Sequence, residues 1–441
     1  MERNKKESPA QPEWNKRWSE SYPDLGTEPL SIEPYISDEY FEDEKEHVFS
    51  NVWIHVGRVE EIPAPGDFFV RDLDVPNVSV LIVRGKDGVL RGFHNVCAHR
   101  CNKLVNKPHG NNAGRFSCKF HGWTYSLDGR LIGLPDREQF HGIVDSEYGL
   151  TPISMDIWEG FIFINASPEP KETLQEFMGK IGEGLVGYPF GEMECCFAWR
   201  AEVNCNWKLA IDGFQEAYHV AFTHNLSVSD KLSSAGNRLN HPLAVVLDKY
   251  HRKLSLGANR STVYGNPLAA IGADQSTVVK AKKPIEEAAF RFGSASLKNM
   301  AEKFKLDSLP AGMNPANADN WLFDINAMFP EFYLSMRPNY YHAYNFRPVS
   351  ANKTIFEARS YFPKATKASG RFYQEYMKCV LRDVVLEDWG MAEQVQRGLS
   401  TRAKTHMVLQ EHEICVRHLN KVTDRYIQSN RGSLNQTKEN A

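Results

Sequence analysis

Two short segments constrain this chain more than anything else in it. One reads Cys97-Ala-His99 and the other Cys118-Lys-Phe-His121, with eighteen residues between His99 and Cys118. Each offers one thiolate and one imidazole. Zinc sites of the finger type pair cysteine with cysteine and histidine with histidine in local knuckles. Two mixed loops suit an asymmetric two-iron cluster instead, with Cys97 and Cys118 on one iron and His99 and His121 on the other. Neutral imidazoles in place of two thiolates reduce the negative charge of such a cluster and raise its potential. Zinc and unrelated core cysteines are the competing readings.

The surrounding sequence is that of a globular protein. A chain of 441 residues is too long for one ordinary core, so two domains are expected. Hydrophobic residues at 42% and charged residues at 24% exclude a largely disordered or fibrous chain. A net charge of −3 argues against a nucleic-acid-binding surface. The N-terminus is charged and lacks an apolar stretch of signal-peptide type, and no window approaches the length of a membrane span. A soluble, cytoplasmic protein is expected. Eight cysteines without a secretory signal do not read as a disulfide scaffold.

Short strands dominate from about 50 to 165. Segments 78–83 and 89–96 flank Gly85-Lys86-Asp87-Gly88, and segments 123–127 and 130–134 flank Asp128-Gly129, which predicts two hairpins. Residues 38–50, 171–180, 284–306 and 370–400 predict helices, and 328–336 and 339–362 predict strands, with Tyr340, His342 and Tyr344 on one face. Residues 1–15 and 428–441 are polar and expected to be loose. The division is a small all-β domain, 50–165, inside a larger α+β domain formed by 1–49 and 166–441. Gly182-Glu-Gly184-Leu-Val-Gly187 fits a dinucleotide pattern, but it follows a helical stretch and runs into Tyr188-Pro189. The fingerprint needs strand, turn and helix, so a helix-ending loop is the better reading.

A second constellation lies at Glu216, His219 and His224. Glu216 and His219 are three apart and would share a helix face. His219 and His224 are five apart, about 140° around a straight helix, so both reach one metal only if the helix bends or unwinds. Two histidines and a carboxylate with open positions make a facial triad for non-haem Fe(II); zinc with a water competes. The carboxylate can be sought by periodicity. An apolar stripe runs through Met377, Val380/Leu381, Val384/Val385, Met391 and Val395, and Asp388 falls on it, whereas Glu387 and Asp383 fall toward a more polar face. A carboxylate on a buried stripe needs a partner, a cation or a metal.

The loops CAHRCNKLV and CKFHGWTYSLDGRL resemble the Rieske [2Fe–2S] motif. Cys101 stands where the oxygenase branch usually has glycine, and a silent buried thiol is expected there. It has no cysteine mate beside Cys118, so the disulfide-free, lower-potential type is implied. With Asp212-Gly-Phe-Gln-Glu216-Ala-Tyr-His219 and the Glu387-Asp388 pair, the chain resembles the terminal oxygenase (α) subunit of Rieske non-haem iron ring-hydroxylating oxygenases. The resemblance implies a Rieske domain inserted in an α+β catalytic domain of helix-grip type. It implies Cys97, His99, Cys118 and His121 as ligands of a [2Fe–2S] cluster, and His219, His224 and Asp388 as ligands of a mononuclear Fe(II). Glu216, where many members have Asp, is implied to bridge the iron site to His121 of a neighbouring subunit. Gly213 replaces a family Asn.

The implied activity uses O2 and electrons from a separate ferredoxin or NAD(P)H reductase. It hydroxylates an aromatic or other hydrophobic small molecule, by cis-dihydroxylation or monooxygenation, in a homotrimer with or without a small β subunit. A monooxygenase or demethylase acting on a non-aromatic substrate is the alternative. A Rieske electron carrier with an inactive second domain and a zinc-organised binding protein are the other classes. The pocket is expected to draw on 225–345, and His342 reads as a hydrogen-bonded core histidine.

Overall fold

The structure, a computed structural model, describes residues 16–257 and 309–439 apart from 226, 229–231 and 233–236, together with 284–286, 288–289 and 291–293. Side chains from 432 onward fall outside that description. The expected helix at 284–306 lies mostly outside the described residues, although 284–286, 288–289 and 291–293 are helical. No helix among the described residues is long and apolar enough to cross a membrane.

Contacts divide the chain into two units. One comprises 42–177 and 426–441; the other comprises 1–41 and 178–425. In the first, ten short strands form three antiparallel sheets. They are β1 (Ile54–Arg58), β2 (Asp67–Leu73), β3 (Val78–Arg84), β4 (Leu90–His94), β5 (His109–Asn111), β6 (Arg115–Ser117), β7 (Thr124–Ser126), β8 (Leu131–Gly133), β9 (Ser154–Trp158) and β10 (Phe161–Asn165). The sheet orders are β9-β10-β1, β4-β3-β2-β5 and β6-β7-β8. Both expected hairpins form, β3 with β4 and β7 with β8. Their turns close through Gly88 and Gly129, at φ 79° and 89°, a region that costs glycine nothing. Phe68, Leu81, Phe93, Phe116, Trp123 and Tyr125 pack a core that also encloses Cys97 and Cys118. The two thiols are thus buried in apolar surroundings before any ligand role is considered.

The second unit is built on one seven-stranded antiparallel sheet. Its strands are β11 (Met193–Val203), β12 (Ala244–Leu247), β13 (Arg252–Gly257), β14 (Trp321–Met328), β15 (Phe332–Arg337), β16 (Tyr340–Ser350) and β17 (Lys353–Pro363), in the order β11-β17-β16-β15-β14-β13-β12. The segment expected as one strand at 339–362 is therefore two, paired across the turn at Ala351-Asn352. Helices α1 (Trp207–Asp212), α2 (Val220–Thr223) and α3 (Ala368–Ser400) accompany the sheet, and α3 touches α1, α2 and β11. A further helix, α4, runs over Ile414–Glu439, so residues 428–439 are helical rather than loose.

An aromatic cluster fixes α3 to the sheet. Phe356 on β17 is fully buried, and the rings of Trp199, Phe214, Tyr344, Phe346 and Trp389 lie 4.7–6.2 Å from it. Trp389 belongs to α3 and follows Asp388 directly. The apolar stripe is real from Met377 to Val385, but Met391 and Val395 are each 45% exposed. Beyond Val385 the packed face of α3 passes to Trp389 and Gln396, 6% and 4% exposed, and Met391 and Val395 lie on its outer side. The Gly182–Gly187 segment is the expected helix-ending loop. Gly312 N–H donates to Gly184 O at 2.8 Å, and a Cβ at Gly184 would come within 2.9 Å of Gly312 Cα.

Phe356→Ala should cost roughly 3–5 kcal/mol in urea unfolding followed by tryptophan fluorescence, because it leaves a cavity among five rings. Phe356→Leu should cost markedly less. Equal losses in the two variants would show that ring packing at 356 does not hold α3.

Candidate metal centres

The cluster loops are near copies of each other. Cys97 N–H donates to Asn102 O at 2.9 Å and Cys118 N–H to Trp123 O at 2.8 Å. Cys101 N–H donates to Cys97 O at 3.1 Å and Gly122 N–H to Cys118 O at 2.9 Å. The matching positions Cys101 and Gly122 both have positive φ, 56° and 77°. That explains why glycine suits position 101 and makes Cys101 a strained substitution. The thiol is exposed, not buried as expected, because the left-handed turn points it outward.

Burial raises the Cys97 thiol. At Cys118 burial acts the same way, but the N–H groups of Phe120 and His121 outweigh it and lower the thiol. The Tyr125 hydroxyl lies 3.2 Å from Cys97 Sγ and accepts from Ala98 N–H at 3.0 Å. The His99 and His121 rings are 4.5 Å apart, and His99 stacks on Trp123 at 4.9 Å. His99 Nδ1 is buried without a hydrogen-bond partner. Two neighbouring thiols and an orphaned imidazole nitrogen fit a soft cluster bound by Cys97, His99, Cys118 and His121.

The second centre begins with α1. Asn206 Oδ1 caps it by accepting from Lys208 N–H at 3.0 Å, and Gln396 Oε1 on α3 accepts from Asn206 N–H at 2.8 Å. The helix stops at Asp212, and residues 213–219 form turns, so Glu216 and His219 do not share a continuous helix as the spacing predicted. The turn is held from below by Gln215, which donates to Asp212 Oδ1 at 2.7 Å and accepts from buried Arg252. Burial pushes Asp212 up to about 7 against that hydrogen bond. His219 and His224 then flank the single turn of α2 as its N-cap and C-cap. This is the break in the helix that their five-residue spacing required.

His219 Nε2, His224 Nε2 and Asp388 Oδ1 converge. The edges are 3.3 Å between the imidazoles, 3.4 Å from Asp388 to His219 and 2.9 Å from Asp388 to His224. Three ligands about 2.1 Å from one ion, at angles near 90–110°, produce edges of this size. The proton positions point the same way. His219 Nδ1 is hydrogen-bonded to Glu216, whose other oxygen accepts from the N–H groups of Tyr218 and His219. His224 Nδ1 lies 2.7 Å from Glu387 Oε2, which also accepts from Ser227 Oγ at 2.6 Å. With both Nδ1 protons directed at carboxylates, both Nε2 atoms are the ones left to offer lone pairs to a metal. Two lone pairs and a buried carboxylate oxygen at such distances call for a cation. Without a metal a proton takes the cation's place: burial lowers His219, but Asp388 and Glu216 outweigh it and lift it to about 10, and Asp388 is held low against its burial by the two histidines, so a metal would have to displace that proton.

Glu387 corrects an expectation. Its place on the polar side of α3 put it aside, yet it fixes His224 as Glu216 fixes His219. Helical period located Asp388 and missed its neighbour, because Glu387 reaches back to the end of α2 rather than into the core. Gly213 leaves its absent Cβ 3.5 Å from Asp388 Cγ, so no side chain at 213 orients that carboxylate. His342 is a buried histidine, as expected, with Nδ1 2.9 Å from Ser360 Oγ, and burial pushes its pKa well down. It also lines a cavity of about 190 Å³ that contains the three donors. The walls are mainly apolar, with Phe214, Leu256, Phe323 and Ile325 facing Met377, Leu381 and Val384 of α3.

Asp388→Ala should remove the mononuclear metal while the visible spectrum of the cluster survives. Glu387→Gln should keep the metal but weaken it roughly 10- to 100-fold in titrations against a competing chelator, as loss of a ligand's hydrogen-bonding partner does elsewhere. Wild-type affinity in the Glu387 variant would mean that this contact orients nothing.

Residues 52–148 match the Rieske [2Fe-2S] domain family, and residues 190–429 match the family described as ring hydroxylating alpha subunit, catalytic domain. A carnitine monooxygenase oxygenase subunit from Acinetobacter pittii (strain PHEA-2) is 30% identical over 193 residues, covering 43% of this chain and 51% of that protein. A biphenyl 2,3-dioxygenase subunit alpha from Rhodococcus jostii (strain RHA1) is 30% identical over 198 residues, covering 44% and 42%. The chain thus spans about half the length, or less, of these curated relatives. A solved quaternary ammonium Rieske monooxygenase in complex with an inhibitor superposes with a TM-score of 0.67 at 20% identity, over 90% of this chain and 95% of that one, which shows the shared fold. The catalytic-domain match covers more than half of the sequence, and the chain belongs to the ring-hydroxylating α-subunit family and carries a Rieske [2Fe–2S] domain.

Proposed function

We propose that this chain is a terminal oxygenase that inserts oxygen from O2 into a small, largely apolar molecule, with electrons from a separate ferredoxin or NAD(P)H reductase. The observation that carries the reading is the triangle of donors, 2.9–3.4 Å on edge, opening into an apolar cavity. His219, His224 and Asp388 hold the mononuclear Fe(II), and Cys97, His99, Cys118 and His121 hold the cluster. When bound, these groups supply one-electron storage and a site for O2 activation. The chain supplies the rest. Glu216 and Glu387 keep the imidazoles in one tautomer and orientation, and the α3 wall keeps water from the reacting molecule. The functional division is the Rieske domain, 50–165, within a catalytic domain of 1–49 and 166–441. We place the protein in the cytoplasm, where thiols such as Cys97 and Cys118 stay reduced until they take up a cluster.

The biphenyl dioxygenase relative supports an aromatic substrate, and the carnitine monooxygenase relative supports a second reading, monooxygenation of a non-aromatic one. Cells that express the chain with a reductase, fed aromatic and quaternary ammonium compounds under labelled O2, separate them. Two labelled oxygens in an aromatic product support dioxygenation, and a dealkylated amine released together with an aldehyde that carries one label, trapped before it exchanges with water, supports the second reading. Absence of label from every product would overturn both.

Glu216 has a further role in this proposal. It lies beside Tyr218 and Phe222, which are 40% and 63% exposed, and His121 follows Phe120, which is 55% exposed. Apolar groups left at such places suit a head-to-tail homotrimer in which Glu216 meets His121 of a neighbour. Glu216→Gln should then retain both metal centres yet slow cluster oxidation by orders of magnitude in single-turnover stopped flow. A wild-type rate would confine Glu216 to orienting His219, and a monomeric mass by light scattering would remove the route between subunits.

A further inference from the structure

Among the described residues that line the cavity there is one permanent cation, and no described carboxylate pairs with it. Arg337 ends β15 and lines the same cavity as His219, His224 and Asp388. Its guanidinium lies 4.3 Å over the ring of Phe323 and 4.9 Å over that of Tyr340. One N–H donates to Ser335 Oγ at 3.1 Å. A guanidinium has five N–H donors in a rigid fork. Among the described residues no carboxylate pairs with Arg337 and no other side-chain acceptor meets it. The acids that line the cavity, Glu216 and Asp388, are already engaged with the imidazoles.

Arg337 is half-buried, and a charge held against apolar walls without a partner loses part of its hydration, a loss that a bound anion offsets. The stacking matters as well. Two of the rings in the lining, Phe323 and Tyr340, already carry the protein's own guanidinium, so a cationic headgroup at that end would meet a like charge. The free part of the fork matches a planar, bidentate acceptor.

We propose that Arg337 anchors the carboxylate of an anionic, otherwise apolar substrate, whose hydrocarbon part lies between α3 and the sheet. The proposal rests on the oxygenase reading for what happens to that ligand, and it excludes a cationic headgroup from the Arg337 end of the cavity. A bidentate contact would fix the substrate at one end, so the position oxidised would be set by its distance from the carboxylate.

The test is binding, read without turnover. Benzoate, phenylacetate and 2-naphthoate, each beside its primary amide, and phenyltrimethylammonium are titrated calorimetrically into anaerobic holoenzyme. At least one carboxylate should bind roughly 10- to 100-fold more tightly than its amide, the range of a charge-assisted contact. In Arg337→Gln that ratio should fall to near unity with the amide affinity unchanged, which also reports that the cavity is intact. Arg337→Lys should give an intermediate ratio. The proposal is overturned if no carboxylate exceeds its amide in the unaltered protein, including the case in which none binds. It is equally overturned if the ratio survives in Arg337→Gln or if phenyltrimethylammonium binds best. A carboxylate preference in a protein that labels no product would overturn the oxygenase reading and leave the anion site standing.

Discussion

Two imidazole lone pairs and one buried carboxylate oxygen are held within 3.4 Å of each other, and much of the catalytic unit exists to keep them there. Such donors repel unless positive charge lies between them. The protein opposes their separation through three different elements. The turn at 213–219 is tied down by Gln215 to Asp212 and Arg252. The single turn of α2 joins the histidines, and Glu216 and Glu387 hold its two ends. Helix α3, clamped by Trp389 against Phe356, brings the carboxylate from 164 residues beyond His224. Local sequence and long-range packing therefore meet at one point.

The two centres are held by different chemistry. The triangle of His219, His224 and Asp388 is braced by side-chain carboxylates, Glu216 and Glu387, which accept Nδ1 protons and would make the imidazoles better donors. The cysteine loops are braced by backbone. Amides of Phe120 and His121 turn toward Cys118, and paired hydrogen bonds repeat from one loop to the other. Carboxylates suit a site that must attract a hard cation. Neutral amides suit thiolates whose charge a cluster already neutralises.

The motifs were legible because their spacing is local. Cys-x-His and Cys-x-x-His, the five-residue gap between histidines and the placement of Asp388 on an apolar stripe needed no tertiary knowledge. What sequence missed lay in tertiary contacts. Glu387 looked like an ordinary polar-face residue, and its bond to His224 depends on where α2 ends. Arg337 carried no signal at all, since an arginine before a Pro-Asn turn reads as a solvated strand end. Met391 and Val395 read as core because period alone does not show that the packed side of α3 passes to Trp389 and Gln396. Cys101 looked buried because composition favours that for cysteine, whereas its positive φ turned it outward.

Four residues, Val220–Thr223, separate the two histidines as a helix of one turn. Helices that short do not persist by themselves, since nucleation outweighs what one turn returns. The span between the ligands is therefore defined at its ends, by Glu216 on one side and by Glu387 on the other. The metal would act as a staple as well as a reagent. Part of its binding free energy would go into ordering this turn, as it does where metal binding and folding are linked. Loading the iron and finishing the fold of the active site would then be one event, and a chain stripped of metal would lose local order around 216–224 before it lost its sheet.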